Sequence, residues 1–171
     1  HHPIFSDALE NELDTTIYGC YPLHPVSTFI LPRLSERIAQ NERTLFTFLS
    51  ADSSSTLSAF LKRPGNHGFN LLTPDLIFDY FEPVLQKEPI SGEMHKLYVL
   101  TMTILDKIRE EELESKIVKT ISLIYMLGQF DKLKPTKEEL VGIFCMEYDA
   151  ERINIAIEHL IKDEYVVYLK R

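Results

Sequence analysis

Arg43 falls in the first turn of the helix expected after Gln40-Asn41-Glu42. A cation there opposes the helix dipole by about 0.3–1 kcal/mol, so the placement asks for a compensating anion. A guanidinium offers a planar fork of donors that suits phosphate oxygens. A carboxylate from Glu36, Glu42 or Asp52 would answer the same need with a simple salt bridge. His24 stands between Pro22 and Pro25. At a helix start its ring has two readings: a local hydrogen bond, or contact with a neighbouring domain or a phosphate. Arg33 and Arg37, one turn apart, read either as partners of Arg43 or as a solvated face.

Other groups offer less. Glu110-Glu111-Glu112 with Glu114 opens a helix, where negative charge favours the dipole and is solvated. Asp75 and Asp79 share a helix face, but without a third ligand they read as a cap and a surface group. His67, His95 and His159 lack metal-ligand spacing. Cys20 and Cys145 form no CxxC pair and read as free thiols of a reducing cytosol, so a cytoplasmic protein is expected. No chemistry is assigned to His1-His2. No Gly-x-Ser-x-Gly elbow is present, and no glycine-rich loop ends in Lys-Ser/Thr. As an independent enzyme the chain has almost nothing to offer.

The bulk properties agree with a folded, soluble chain. Its 171 residues are 44% apolar and 26% charged, which suits one large domain or two small ones. The net charge of −8 disfavours a stand-alone nucleic-acid binder. No apolar run reaches the about 18 residues of a membrane span.

Helical periodicity dominates the elements that must carry these residues. A helix over 25–39 contains Pro32, which predicts a bend. A shorter helix, capped near Asn41, carries Leu45, Phe46, Phe48 and Leu49, and another covers 57–61. The loop 63–73 contains Pro64, Gly65 and Gly68. Thr73-Pro74-Asp75 then starts a helix with Ile77, Tyr80, Phe81, Val84 and Leu85 inward, and Pro83 should end or kink it near Glu82. A helix over 92–109 turns Leu97, Leu100, Ile104, Leu105 and Ile108 inward. The next, over 111–127, buries Leu113, Ile117, Ile121 and Ile124 and stops at Gly128.

After the break at 128–135, Thr136-Lys-Glu-Glu139 is a capping box for a helix ending near Met146. Asp149 caps a helix with Ile153, Ala156, Ile157, Leu160 and Ile161 inward. Tyr165-Val-Val-Tyr-Leu169 reads as a strand. Helices 111–127, 137–146 and 149–163 followed by a strand have the order of a winged helix-turn-helix. Its reading helix offers Arg152 and Asn154 to DNA or a partner, but its charges sum to net negative, so a protein partner is favoured over DNA.

Tyr21-Pro-Leu-His-Pro-Val-Ser-Thr-Phe-Ile-Leu-Pro-Arg-Leu-Ser-Glu-Arg37 and Gln40-Asn-Glu-Arg-Thr-Leu-Phe-Thr-Phe-Leu49 resemble the stretch after the nucleotide-binding core of large bacterial P-loop ATPases of the AAA+/STAND type. Leu72–Phe81 and Ser115–Tyr125 extend the likeness over most of residues 18–165. The resemblance implies a mainly α chain in three parts: an AAA+ lid-like helical bundle over 1–63, a helical connector over 64–110, and a winged-helix-like domain over 111–171 with a short β-strand and a truncated wing. It implies that ATP and Mg are held by an N-terminal nucleotide-binding domain outside this chain. It also implies that Arg43, with His24, senses the nucleotide in the intact protein, without catalysis by this part. Two other readings remain: a stand-alone winged-helix DNA-binding regulator with a helical effector domain, and a helical protein-interaction adaptor.

Overall fold

Helix starts in this chain are written by side chains that satisfy backbone N–H groups, and the computed structural model shows several of them made. It describes residues 2–6, 10–39, 42–62, 70–108 and 111–167. Asp149 accepts from the Arg152 N–H at 2.9 Å, and Thr136 accepts from the Glu139 N–H at 3.2 Å. The helices are α1 (Glu10–Gly19), α2 (Pro25–Leu34), α3 (Glu42–Ser50), α4 (Leu57–Leu61), α5 (Pro74–Leu85), α6 (Glu93–Lys107), α7 (Glu112–Leu127), α8 (Lys137–Phe144) and α9 (Ala150–Lys162), with a 3-10 turn at Pro3–Phe5. The chain is thus mainly α. Its β structure, among the described residues, is one isolated parallel bridge between Leu23 and Leu72.

Several expectations need correction. The anticipated strand at 165–169 is not formed at 165–167; residues 168 and 169 lie outside the described residues. The reason is local. Glu164 adopts a left-handed φ of 58°, and the Glu164 and Tyr165 N–H groups donate back to Ile161 and Leu160. That is a Schellman cap, and it uses donors that a ladder would need. The capping box at α8 is half made, because the Glu139 carboxylate goes to His2 Nε2 at 2.6 Å instead of reaching back. Thr73 makes no side-chain cap; its hydroxyl donates to the Asp75 carboxylate.

The two internal prolines leave different traces. Pro83 does not end α5 near Glu82, since α5 runs to Leu85 and the Gln86 N–H returns to Glu82. After Pro32, α2 widens into a π-helical turn over Ser35–Ala39. A proline removes one donor from the i→i−4 ladder, and a π turn is one way to absorb the defect.

Helix α7 is the centre of the molecule, packing against α2, α5, α6 and α9. Burial therefore extends well beyond its expected face, to Val118, Leu123, Met126 and Leu127. On α6 the expected Leu97, Ile104 and Leu105 pack half-buried on the core, and Ile108 just past its end is buried; Tyr98 and Thr101 are its fully buried positions, while Leu100, expected inward, is 57% exposed. The Thr101 hydroxyl, which donates to the Leu97 carbonyl at 2.7 Å, also meets the Ser122 hydroxyl on α7 at 2.7 Å and ties the two helices together. One apolar cluster joins the three expected segments, including Leu34 and Phe48, then Phe78 and Phe81, then Leu123, Phe144 and Ile157.

Candidate functional site

Three settings hold the residues with chemical potential. The first is the outer face of α3. Phe48 is turned into the core, where it meets Tyr80 edge-on at 4.9 Å, and Tyr80 donates to the Thr44 carbonyl at 3.0 Å. Anchored this way, α3 points Arg43, Phe46, Thr47 and Ser50 outward along one face. Phe46 is 61% exposed and Leu49, on its flank, 38%. Asp52, one suggested partner for Arg43, pairs with Lys62 at 2.6 Å. The suggested cap Asn41 lies outside the described residues.

The second setting is the His24 junction. The ring is buried and caps α2, with Nδ1 accepting from the Val26 N–H at 3.1 Å. The backbone of Gly142 in α8 lies near enough to the ring to favour its charged form. The His24 N–H meets the Leu72 carbonyl at 3.0 Å beside the parallel bridge. Burial, the largest influence, lowers the His24 pKa to about 4; Gly142 opposes this and His2 reinforces it. His24 and Arg43 thus occupy different environments, one enclosed and neutral, the other at the surface.

The third setting was not assembled from sequence. Asp75, read there as a cap, is 4% exposed. Burial raises its pKa, opposed by the Thr73 hydrogen bond and by the charges of Lys116 and Lys119. Lys119 pairs with Asp79 at 2.6 Å, and Lys116 with Glu147 at 2.6 Å. Burial works against the Lys116 charge, but the Glu147 bond and the fields of Asp75 and Glu147 outweigh it and hold its pKa above the ordinary lysine value. The signal was present in outline: acidic residues four apart on α5 face basic residues three apart on α7.

The remaining candidates are engaged locally. Arg33 lies 3.8 Å over the Phe29 ring and donates to the Phe29 carbonyl. Arg37 donates to the Leu127 carbonyl at 2.7 Å, closing the end of α7. Arg33 is half-buried and Arg37 exposed, so the face is solvated in part while each guanidinium also holds a carbonyl. Arg152 packs on Tyr148 at 4.9 Å, and Asn154 donates to the Ala150 carbonyl at 2.9 Å. Glu114, expected to be solvated, is buried with His159 at 3.6 Å. Glu110 and His67 lie outside the described residues. Both cysteines are free thiols. Among the described residues no group of three or more His, Cys, Asp or Glu side chains is placed to hold a metal, and no helix is long and apolar enough to cross a membrane.

A recess of about 230 Å³ lies between α7, the start of α8 and α9, lined by Ile117, Ile121, Leu140 and Ile157 with Lys134 and Lys137. It is smaller than the about 300–1,000 Å³ of ordinary ligand pockets. No protein-family model matches this chain, and neither a curated protein nor a solved structure matches it.

Proposed function

We propose that this chain is a non-catalytic regulatory part of an ATP-binding protein, transmitting nucleotide state to a partner. Residues to about 63 act as the helical lid, and α7–α9 take the winged-helix role. The observation that carries the reading is the outer face of α3, where Arg43 stands beside Phe46. An exposed aromatic next to a guanidinium is a composition typical of an interface anchor. In this reading the face meets a nucleotide-binding module, and Arg43 approaches a phosphate that the module holds. ATP and Mg belong to that module, because this sequence has no glycine-rich loop ending in Lys-Ser/Thr. Coupling proceeds by rigid-body movement around 63–73 or 128–135. His24, enclosed and neutral, contributes by fixing the start of α2 instead of touching phosphate.

In the intact protein, Arg43→Ala is expected to lower ATP turnover, or its coupling to the partner, by about 10³-fold, the low end for an arginine that contacts a transferring phosphoryl group. Circular dichroism is expected to stay unchanged. Turnover and coupling equal to the parent protein's would remove Arg43 from the sensor role. The adaptor reading draws on the same exposed Phe46 and requires no nucleotide, so this variant separates the two. The DNA-binding reading predicts strong, salt-sensitive binding in an anisotropy titration at low salt. The acidic character of α9 instead leads us to expect negligible binding.

A further inference from the structure

We propose that the outer face of α6 docks a second copy of this chain, with the two α6 helices packing antiparallel about Leu100. Helix α6 packs on α7 and α5 along one side. Its opposite side is open. Leu100 is 57% exposed and Val99 47%, and Glu93, Lys96, Thr103, Asp106 and Lys107 are exposed with them. Glu93, Lys96, Leu100, Thr103 and Lys107 recur at alternating steps of three and four, so they form one seam along the helix. Thr103 donates its hydroxyl to the Val99 carbonyl at 2.8 Å, which leaves its methyl group to the seam. The middle of the face is thus apolar, and its two ends are charged.

Two exposed apolar side chains alone would be ordinary. The order of the charges selects the partner. Leu100 is the midpoint of α6, which runs from Glu93 to Lys107. A two-fold axis beside Leu100 sets the helix against its own reversed copy, as an isologous contact requires. Glu93 then faces Lys107 of the second copy, and the symmetry makes that pair twice. Lys96 comes within a turn of Asp106 of the second copy. A parallel pairing would instead set Glu93 on Glu93 and Lys107 on Lys107. The charges at the ends are open to such a partner. Glu93 and Lys96 make no hydrogen bond or ion pair through their side chains among the described residues, and the Lys107 ammonium lies 5.7 Å from the centre of the Tyr165 ring, a loose contact. The seven exposed residues of α6 are far fewer than the about 20–30 a side of a standard interface, so the dimer is weak and reversible.

Sedimentation velocity of the whole chain between about 10 μM and about 1 mM tests this. Salt at about 0.15 M, with a Debye length of about 8 Å, screens the long-range repulsion between two copies of net charge −8. The weight-average mass is expected to rise with concentration from that of one chain toward twice it. Amide shifts of α6 should move over the same range while those of α9 stay. Leu100→Lys should abolish the association. Glu93→Lys and Lys107→Glu should each raise the dissociation constant about tenfold, because both symmetry-related pairs become like-charged. The combined Glu93→Lys/Lys107→Glu variant should return it to within about threefold of the parent value. All these positions are exposed, and circular dichroism checks that helix content is kept. A parent chain that stays monomeric at the highest concentration overturns the proposal and leaves the face to another partner. Association that survives Leu100→Lys overturns it as well, and so does a combined variant no tighter than the single ones. Should a variant not fold, the concentration series on the parent chain decides.

Discussion

Asp75 carries a cost that Lys116 offsets. A carboxylate this enclosed disfavours its own ionisation, and its direct hydrogen bond is the Thr73 hydroxyl. The ammonium of Lys116, with a side chain only 17% exposed, supplies field from α7 while binding Glu147. Because the Asp75 pKa is raised, its penalty is present above the raised value and disappears as pH falls below it. Lys116 has the opposite linkage: its raised pKa gives stability present below 10.5 and lost as pH rises through the folded value. Lys116→Met is therefore expected to cost about 3 kcal/mol at neutral pH, since breaking a buried pair strands the other charge. Part of that loss should return in mild acid, and Asp75→Asn on top of it should recover more. Urea denaturation of the three variants at two pH values measures this. A loss for Lys116→Met that is small and independent of pH would show that the two groups are not coupled.

At the level of elements, local chemistry was legible where a terminus is satisfied by its own neighbours. Gly128 at φ 65° ends α7, Asp149 and Thr136 cap their helices, and α4 spans 57–61 as its sequence suggested. One misreading was local as well. Tyr165-Val-Val167 has strand composition, but the cap of α9 claims its backbone. Helix α1 lacks a strong apolar stripe and exposes Ile17 and Tyr18, so periodicity gave no sign of it. The α9 cap makes a prediction of its own. Glu164 occupies a left-handed position that glycine takes without steric cost. Glu164→Gly should therefore stabilise the chain by about 0.5–1 kcal/mol, the relief of strain less the added backbone entropy of glycine. A rise of about 1–4 °C in melting temperature would register it. A fall would mean that the glutamate side chain contributes more than its backbone costs.

For the whole molecule, the shared core governs behaviour. Helix α7 touches the expected lid through α2, the connector through α5 and α6, and the C-terminal unit through α9. Arg37 adds a polar tie from the end of α2's π turn to the end of α7. Unfolding at neutral pH should therefore be one cooperative transition, with far-UV dichroism and tyrosine signals coincident. Ile124→Ala, at a fully enclosed position of α7, should lower that single transition by about 2–5 kcal/mol. Two separated transitions, with only one shifted by Ile124→Ala, would mean that 1–63, 64–110 and 111–171 fold independently.

The sequence alone determined the helical class, most helix termini and the inward positions of α5, α7 and α9. These follow from contacts within a few residues: side-chain caps, proline and glycine dihedrals, and the 3.6-residue repeat. Only the tertiary structure decided which charges would be enclosed, and which positions of α6 would be buried deepest. Those outcomes depend on groups far apart in the chain, such as Thr101 with Ser122 and Asp75 with Lys116. A hydrogen bond or ion pair between distant residues has no periodic signature, because its energy arises only once packing has excluded water from both partners.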